Sequence, residues 1–442
     1  MGSWTRRGAL LATTCTAILA SLGAPSATAQ ADGASPVGVT TTTFVDTGRP
    51  TAANDDCPKL SSRTLETSVY YPAAAGTAGG DAQPDAAPDT ANGPYPLIVF
   101  AHGFSATRDS YAALLAQWAS AGYVVAAPTF PLSSGTSPCG AIAGDVVNQP
   151  QDMSFVTSSV LRQADGDDGP LAGLVDAEHI GAAGHSNGGI TAYGLVGNTK
   201  LRDDRVSAAA ILSGTAQDYP KGKYDLAHLP PVLFVHGTED DLVPYGAAID
   251  GFNAARGPKG LLSITGGDHG SAASSSVYAA TTDFFDAYLR DDADARARLP
   301  EDQTEGTSTM KFVTATGSAV TVPTVTTPKL DLKAKVTPRK NLQGGQMVTV
   351  TWSGYTPGKV VNILQCNGTN RDQSKSNECD YSKAKLLQPD PTGKGSLQLE
   401  IVEGAIGTGA CDADHQGCFV IVNNASSTDP KDSVRVDISF AR

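Results

Sequence analysis

Charged residues make up only 17% of this 442-residue chain, and aromatic residues 6%. No run of Lys and Arg stands out, which excludes a grip on nucleic acid through its phosphates. No C-x-x-C occurs and His415 is the only histidine near the C-terminal cysteines, so a cysteine-built metal site is not expected. No segment after the first 29 residues is long and apolar enough to cross a bilayer core of about 30 Å. Gly (47) and Pro (27) are frequent but follow no collagen-like period, and no tandem repeat is present. Nothing calls for a metal or an organic cofactor, and none is expected. What is there is a hydrophobic fraction of 40%, enough for a packed core and too much for a wholly disordered chain. At roughly 100–200 residues per domain, the length suggests two or three domains.

The formal net charge is -13, which suits a protein that does not cling to anionic surfaces. It is unevenly spread. Residues 30–328 hold 16 Lys and Arg against 33 Asp and Glu, whereas residues 329–442 hold 14 against 12. Such asymmetry points to two separately built parts. The first 29 residues read as an export signal: Arg6 and Arg7, a small apolar stretch from Ala9 to Leu22, then Ala27-Thr28-Ala29 as a cleavage site. Thr5-Arg6-Arg7-Gly8-Ala9-Leu10 also fits a twin-arginine signal. The expected location is extracellular. Six cysteines remain after cleavage, an even count that implies disulfides in an exported chain. Cys411 and Cys418 are close in sequence, as are Cys366 and Cys379. Local pairing of each leaves Cys57 with Cys139.

Continuous apolar runs alternate with helical spacing between residues 97 and 289. Leu97–Phe100, Tyr123–Ala127, His179–Ala183, Val206–Leu212, Val232–Val235 and Leu261–Ile264 read as strands. Tyr111–Ala121, Gln151–Gln163, Gly188–Val196, Tyr245–Ala255 and Val277–Leu289 read as helices. The expected fold is α/β, a doubly wound and mostly parallel sheet covered on both faces. Residues 300–328 are rich in Thr, Ser, Pro and Gly and read as a linker, with one strand near Lys311–Thr314. From Lys329 onward only short alternating segments occur, such as Met347–Trp352 and Phe419–Val422, which predicts a small all-β sandwich. The expected division is 1–29 signal, 30–299 α/β domain, 300–328 linker and 329–442 sandwich.

Gly184-His185-Ser186-Asn187-Gly188 is a G-x-S-x-G between a strand ending at Ala183 and a helix of small residues, the setting of a nucleophile elbow. Serine at its ordinary pKa needs a base, and the base needs an orienting acid. His269 lies in a glycine-rich turn after the strand at 261–264, while His228 precedes a strand, His236 ends one and His415 is in the second part. His269 is therefore the expected base. Glu239, Asp240 and Asp241 follow the strand at 232–235, and Asp240 is assigned as the acid, with Asp241 the alternative. The expected oxyanion donors are the backbone N–H groups of Asn187 and of Phe104, in Ala101-His102-Gly103-Phe104-Ser105. His102 reads as structural.

Residues 60–290 resemble the α/β-hydrolase superfamily, and within it the chlorophyllase, platelet-activating-factor acetylhydrolase and cutinase-like polyester hydrolase group. The resemblance lies in Pro96 to Phe104, Ala121 to Val125, Gly184 to Gly189, and His236 to Pro244. Asn187 stands where the polyester hydrolases usually have Met. Residues 330–442 resemble the neocarzinostatin family through Val336-Thr337-Pro338, Gln365-Cys366, Cys379, Cys411, Cys418 and the closing Val434–Phe440 segment. That second resemblance implies an Ig-like sandwich whose partner is a small aromatic ligand or a surface. The function these readings imply is a secreted serine hydrolase of carboxylic esters, of the esterase, lipase or cutinase kind. The alternatives are a peptidase or amidase on the same three residues, or a small-molecule-binding protein acting through the sandwich.

Overall fold

The computed structural model describes residues 35–442 apart from 55, 78, 315–319, 324–330, 356–360, 369–378, 381–384, 388–389, 391, 407–408, 416 and 425–432. The expected export signal lies outside the described residues.

Ten strands build one mixed sheet. In chain order they are β1 (Val37–Asp46), β2 (Arg63–Pro72), β3 (Gln83–Pro84), β4 (Tyr95–Ala101), β5 (Val124–Thr129), β6 (Val175–His185), β7 (Val206–Leu212), β8 (Val232–Gly237), β9 (Lys259–Ile264) and β10 (Ser308–Val313). Their order across the sheet is β10-β9-β8-β7-β6-β4-β5-β2-β1-β3. From β5 through β4 to β9 every neighbouring pair is parallel. β2 pairs antiparallel with both β5 and β1, and β10 antiparallel with β9. The chain moves from β4 to β5 on one side and then returns to place β6 on the other. That reversal opens a crevice beyond the carboxyl ends of β4 and β6, where open α/β sheets gather their ligand-binding groups.

The helices are α1 (Ala112–Ser120), α2 (Gln149–Ala164), α3 (Asn187–Gly197), α4 (Tyr245–Ala254), α5 (Tyr278–Leu289) and the short α6 (Ala293–Arg298). β4 shows why its run is apolar throughout. All seven of its residues are buried, and successive side chains enter opposite cores. Leu97, Val99 and Ala101 pack in the core that holds Met153 and Val156 of α2, Tyr193 of α3 and Phe252 of α4. Ile98 and Phe100 pack in the other, with Leu115 and Trp118 of α1 and Phe284 and Phe285 of α5. A strand covered on both faces has no polar side to alternate.

The sheet reaches into the segment expected to be a linker. β10 spans Ser308–Val313 and pairs along its whole length with β9. Asn253 of α4 then exchanges two hydrogen bonds with the backbone of Val322, at 2.9 and 2.7 Å. An edge strand is covered on one side only, so β10 needs little apolar periodicity, and its half-buried residues explain the weak signal.

The C-terminal region is antiparallel throughout its described ladders. Its strands are β11 (Lys333–Thr337), β12 (Met347–Ser353), β13 (Val361–Cys366), β14 (Lys385–Leu387), β15 (Gly395–Glu400), β16 (Gly404–Ile406), β17 (Gly409–Cys411), β18 (Phe419–Asn424) and β19 (Ser433–Asp437). They form sheets ordered β11-β12-β15 and β14-β13-β18-β19 and the pair β16-β17. Val348, Val350 and Trp352 from one sheet and Ile363, Val420 and Val422 from the other share a single core. That is the layered arrangement of a β-sandwich. The disulfides are Cys57–Cys139, Cys366–Cys379 and Cys411–Cys418. Among the described residues, no helix is long and apolar enough to cross a membrane.

Candidate active site

Ser186 sits between the end of β6 and the first residue of α3, with φ 58° and ψ -120°. A left-handed φ is unfavourable for a residue with a Cβ, so the surroundings must impose it. They do so by close backbone approach. A Cβ on Gly184 would lie 2.1 Å from the Gly188 carbonyl oxygen, and one on Gly188 would lie 1.9 Å from the Ala101 carbonyl oxygen. The Ser186 N–H donates to Leu212 O at 2.9 Å, pinning the turn to the end of β7. The two glycines of the motif therefore let α3 start against the ends of β4 and β6.

His269 comes from the loop after β9 and Asp240 from the loop after β8. His269 Nε2 is 2.7 Å from Ser186 Oγ, and His269 Nδ1 is 2.8 Å from Asp240 Oδ2. With Nδ1–H donated to the carboxylate, Nε2 is left as an acceptor for the serine hydroxyl. Asp240 is 4% exposed. Its Oδ1 accepts the N–H groups of Leu242 and Val243 at 2.9 and 2.8 Å. Burial pushes the Asp240 carboxyl up, but hydrogen bonds from His236 and His269 outweigh it and hold the group well below the usual carboxylate range. Asp240 is thus an anion facing one edge of an imidazole whose other edge faces a serine. This is the arrangement that raises the nucleophilicity of a hydroxyl.

The remaining residues singled out from sequence are distributed around this centre. Gly103 is close enough to Ser186 that a Cβ there would lie 3.3 Å from the serine Cβ. Phe104, the next residue, is 39% exposed, and Asn187 is buried. The Asn187 Nδ2 makes no hydrogen bond among the described residues. His102 is fully buried, with Nε2 accepting the Phe130 N–H at 3.0 Å and Nδ1 2.8 Å from Gly103 O. Burial lowers its pKa to about 4, so it is a neutral spacer between two loops. Asp241 is half-buried and Glu239 exposed. His228 pairs with Asp225, and His415 with Asp412, each at 2.8 Å.

Four residues at the site were given no role from the sequence. His236 Nε2 lies 2.9 Å from Val243 O and 3.2 Å from Asp240 Oδ2, so one N–H supports both the acid and its loop. Tyr111, His185 and Ser213 lie behind the base. Tyr111 Oη is 2.9 Å from His185 Nδ1, His185 Nε2 is 2.8 Å from His269 O, and Ser213 Oγ donates to the same carbonyl at 3.2 Å. Among the described residues no group of three or more His, Cys, Asp and Glu side chains is arranged to hold a metal ion.

Residues 86–213 match the chlorophyllase family model, and residues 334–440 match that of the neocarzinostatin family. The chain joins a chlorophyllase-like segment to a neocarzinostatin-like one. The chlorophyllase-like match includes Ser186 and Gly103 but ends before Asp240 and His269. A ferulic acid esterase from Streptomyces cinnamoneus has a similar solved structure, with a TM-score of 0.48 and 21% identity over 63% of this chain and 96% of that one. No curated protein matches the sequence.

Proposed function

We propose that this chain is a secreted serine hydrolase that cleaves carboxylic esters through an acyl-enzyme. In this reading Ser186 attacks the ester carbonyl as His269 Nε2 takes its proton. Asp240 keeps the ring in the Nδ1–H tautomer and stabilises the imidazolium that forms. The backbone N–H groups of Phe104 and Asn187 receive the developing oxyanion, and His269 returns the proton to the departing alcohol. Water then repeats the sequence on the acyl-serine. The observation that carries the proposal is the series of hydrogen bonds from Ser186 Oγ through His269 to Asp240, at 2.7 and 2.8 Å, on a serine with a left-handed φ. The chlorophyllase-like match over 86–213 supports an ester as the substrate class. Three disulfides support an oxidising, extracellular destination reached through the proposed signal at 1–29.

The test is turnover of a short-chain p-nitrophenyl ester. Ser186→Ala should lower kcat by at least about a thousandfold with the fold intact. Full turnover by that variant would refute the mechanism, and activity on aminoacyl anilides without activity on esters would reassign the bond. The neocarzinostatin-like match over 334–440 supports a second, binding role for the proposed sandwich domain at 329–442. Calorimetric titration of the Ser186→Ala protein with aromatic natural products tests it, and the absence of any binding heat would leave the sandwich without that role.

A further inference from the structure

The base sits on a loop that needs anchoring. His269 lies in Gly266-Gly267-Asp268-His269-Gly270, and Gly266 has φ 66°. Glycines give such a stretch many backbone choices, yet the imidazole must stay within a few tenths of an ångström of a 2.7 Å hydrogen bond. His185 and Ser213 both hold the main chain of His269 itself, at its carbonyl.

His185 is itself held. It is 7% exposed, and its ring lies 4.9 Å from that of His269, centroid to centroid. The Gly103 N–H donates to Tyr111 Oη at 3.1 Å. With its oxygen so occupied as acceptor, the tyrosine can donate its own proton to His185 Nδ1, 2.9 Å away. That fixes the imidazole tautomer. If the proton sat on Nδ1 instead, the bare Nε2 lone pair would face a carbonyl oxygen at 2.8 Å, two acceptors in contact. The proton therefore belongs on Nε2, donated to His269 O. Burial favours the same neutral ring, lowering its pKa to about 4. Space is equally restricted, because a Cβ on Gly103 would lie 2.9 Å from Tyr111 Oη.

We infer that Tyr111 and His185 form a hydrogen-bonded strut that positions the base, setting the main chain of His269 relative to the Gly103–Phe104 loop. This rests on the reading of Ser186 and His269 given above. The strut runs Gly103 N–H to Tyr111, Tyr111 O–H to His185, His185 N–H to His269. Its two ends are the residue before one proposed oxyanion donor and the base itself. Tyr111 and His185 are positioning residues, acting through the main chain of the base. The residue inside G-x-S-x-G thereby acts on the base as well as preceding the serine.

The experiment compares wild type with Tyr111→Phe, His185→Leu and His185→Gln on p-nitrophenyl acetate, counting competent sites by titration with diisopropyl fluorophosphate. Tyr111→Phe deletes one oxygen and leaves the ring packing. It should lower kcat roughly tenfold with KM within twofold, and His185→Leu should lower kcat roughly tenfold to a hundredfold. Glutamine places an amide N–H near the position of Nε2, so His185→Gln should recover much of what His185→Leu loses. Wild-type kcat in the phenylalanine and leucine variants would overturn the strut, as would equal losses in leucine and glutamine. A second readout does not depend on turnover. Imidazole 15N shifts at pH 7 should show His185 protonated at Nε2 alone, and an Nδ1–H tautomer or an imidazolium would overturn the inference. Retained activity in Ser186→Ala would instead sink the functional reading, while the nitrogen spectrum still decides the tautomer.

Discussion

The two regions of this chain solve the same packing problem at different scales. The N-terminal region spreads ten strands into one sheet and buries both faces under helices, so it has two main cores, one on each face. One disulfide spans 82 residues of it. The C-terminal region has short ladders around one main core, with a small second cluster at Leu364 and Phe419, and is tied by two bridges, over 13 and 7 residues. A small domain buries a smaller share of its surface and leans more on cross-links. The larger one has packing to spare, and it uses that surplus to hold a serine in a conformation that the residue alone would avoid.

Glycine substitutions would separate the two most sharply. Gly188→Ala drives a methyl into the Ala101 carbonyl, backbone against backbone. The expected cost is more than about 4 kcal/mol, with loss of the folded N-terminal region. Gly345→Ala in the sandwich meets nothing within 4 Å and is strained only by its φ of 76°, for a cost of about 1 kcal/mol. Urea titration followed through tryptophan distinguishes them, because Trp118 is buried in one region and Trp352 in the other. Equal effects of the two substitutions would contradict the contrast.

Cross-links give a smaller separation. On chain-entropy grounds, removing Cys57–Cys139 as a serine pair should cost about 4 kcal/mol and removing Cys411–Cys418 about 2 kcal/mol. Stability fits from Trp118 and Trp352 should assign the first loss to the large sheet and the second to the sandwich. Acid gives the smallest separation. His102 and His185 are held neutral by burial, each with a pKa of about 4 against 6.5 in the unfolded chain. The unfolded chain therefore takes up their protons first. Their contribution is intact above about pH 6.5 and is lost as pH falls toward 4, by on the order of 3 kcal/mol each. Asp240, depressed instead, adds its loss only below about pH 4. The sandwich has a single histidine, the exposed His415. Between pH 6.5 and 4.5 the Trp118 transition should shift more than the Trp352 transition, and His185→Gln should flatten part of that slope.

Much of the large sheet was legible because its strands are buried on both faces and so appear as unbroken apolar runs. Val206–Leu212 has the same bounds in sequence and structure. The residues that sit in hydrogen-bonded series, Ser186, His269 and Asp240, each follow a strand, and strand ends are marked by glycine and a change of period. Other features are set by fold alone. Arg63 makes paired hydrogen bonds to Asp145 and to Asp152, all of them buried, across more than 80 residues of chain. No local pattern announces such a pairing. Nor does any spacing reveal that Tyr111 and His185 face each other. β3, β14, β16 and β17 have only two or three residues each, too few to show alternation.

The bridge between Cys57 and Cys139 encloses β2, β3, β4, α1 and β5, and with them Gly103 and Phe104. An oxidised molecule that has been boiled still carries that ring. The enclosed elements remain tethered neighbours, and cooling asks them only to re-dock within a loop already closed. Tolerance of repeated heating, more than a high melting point, is the property this one bond should confer on the oxidised protein, and a reducing agent added before the heat would take it away.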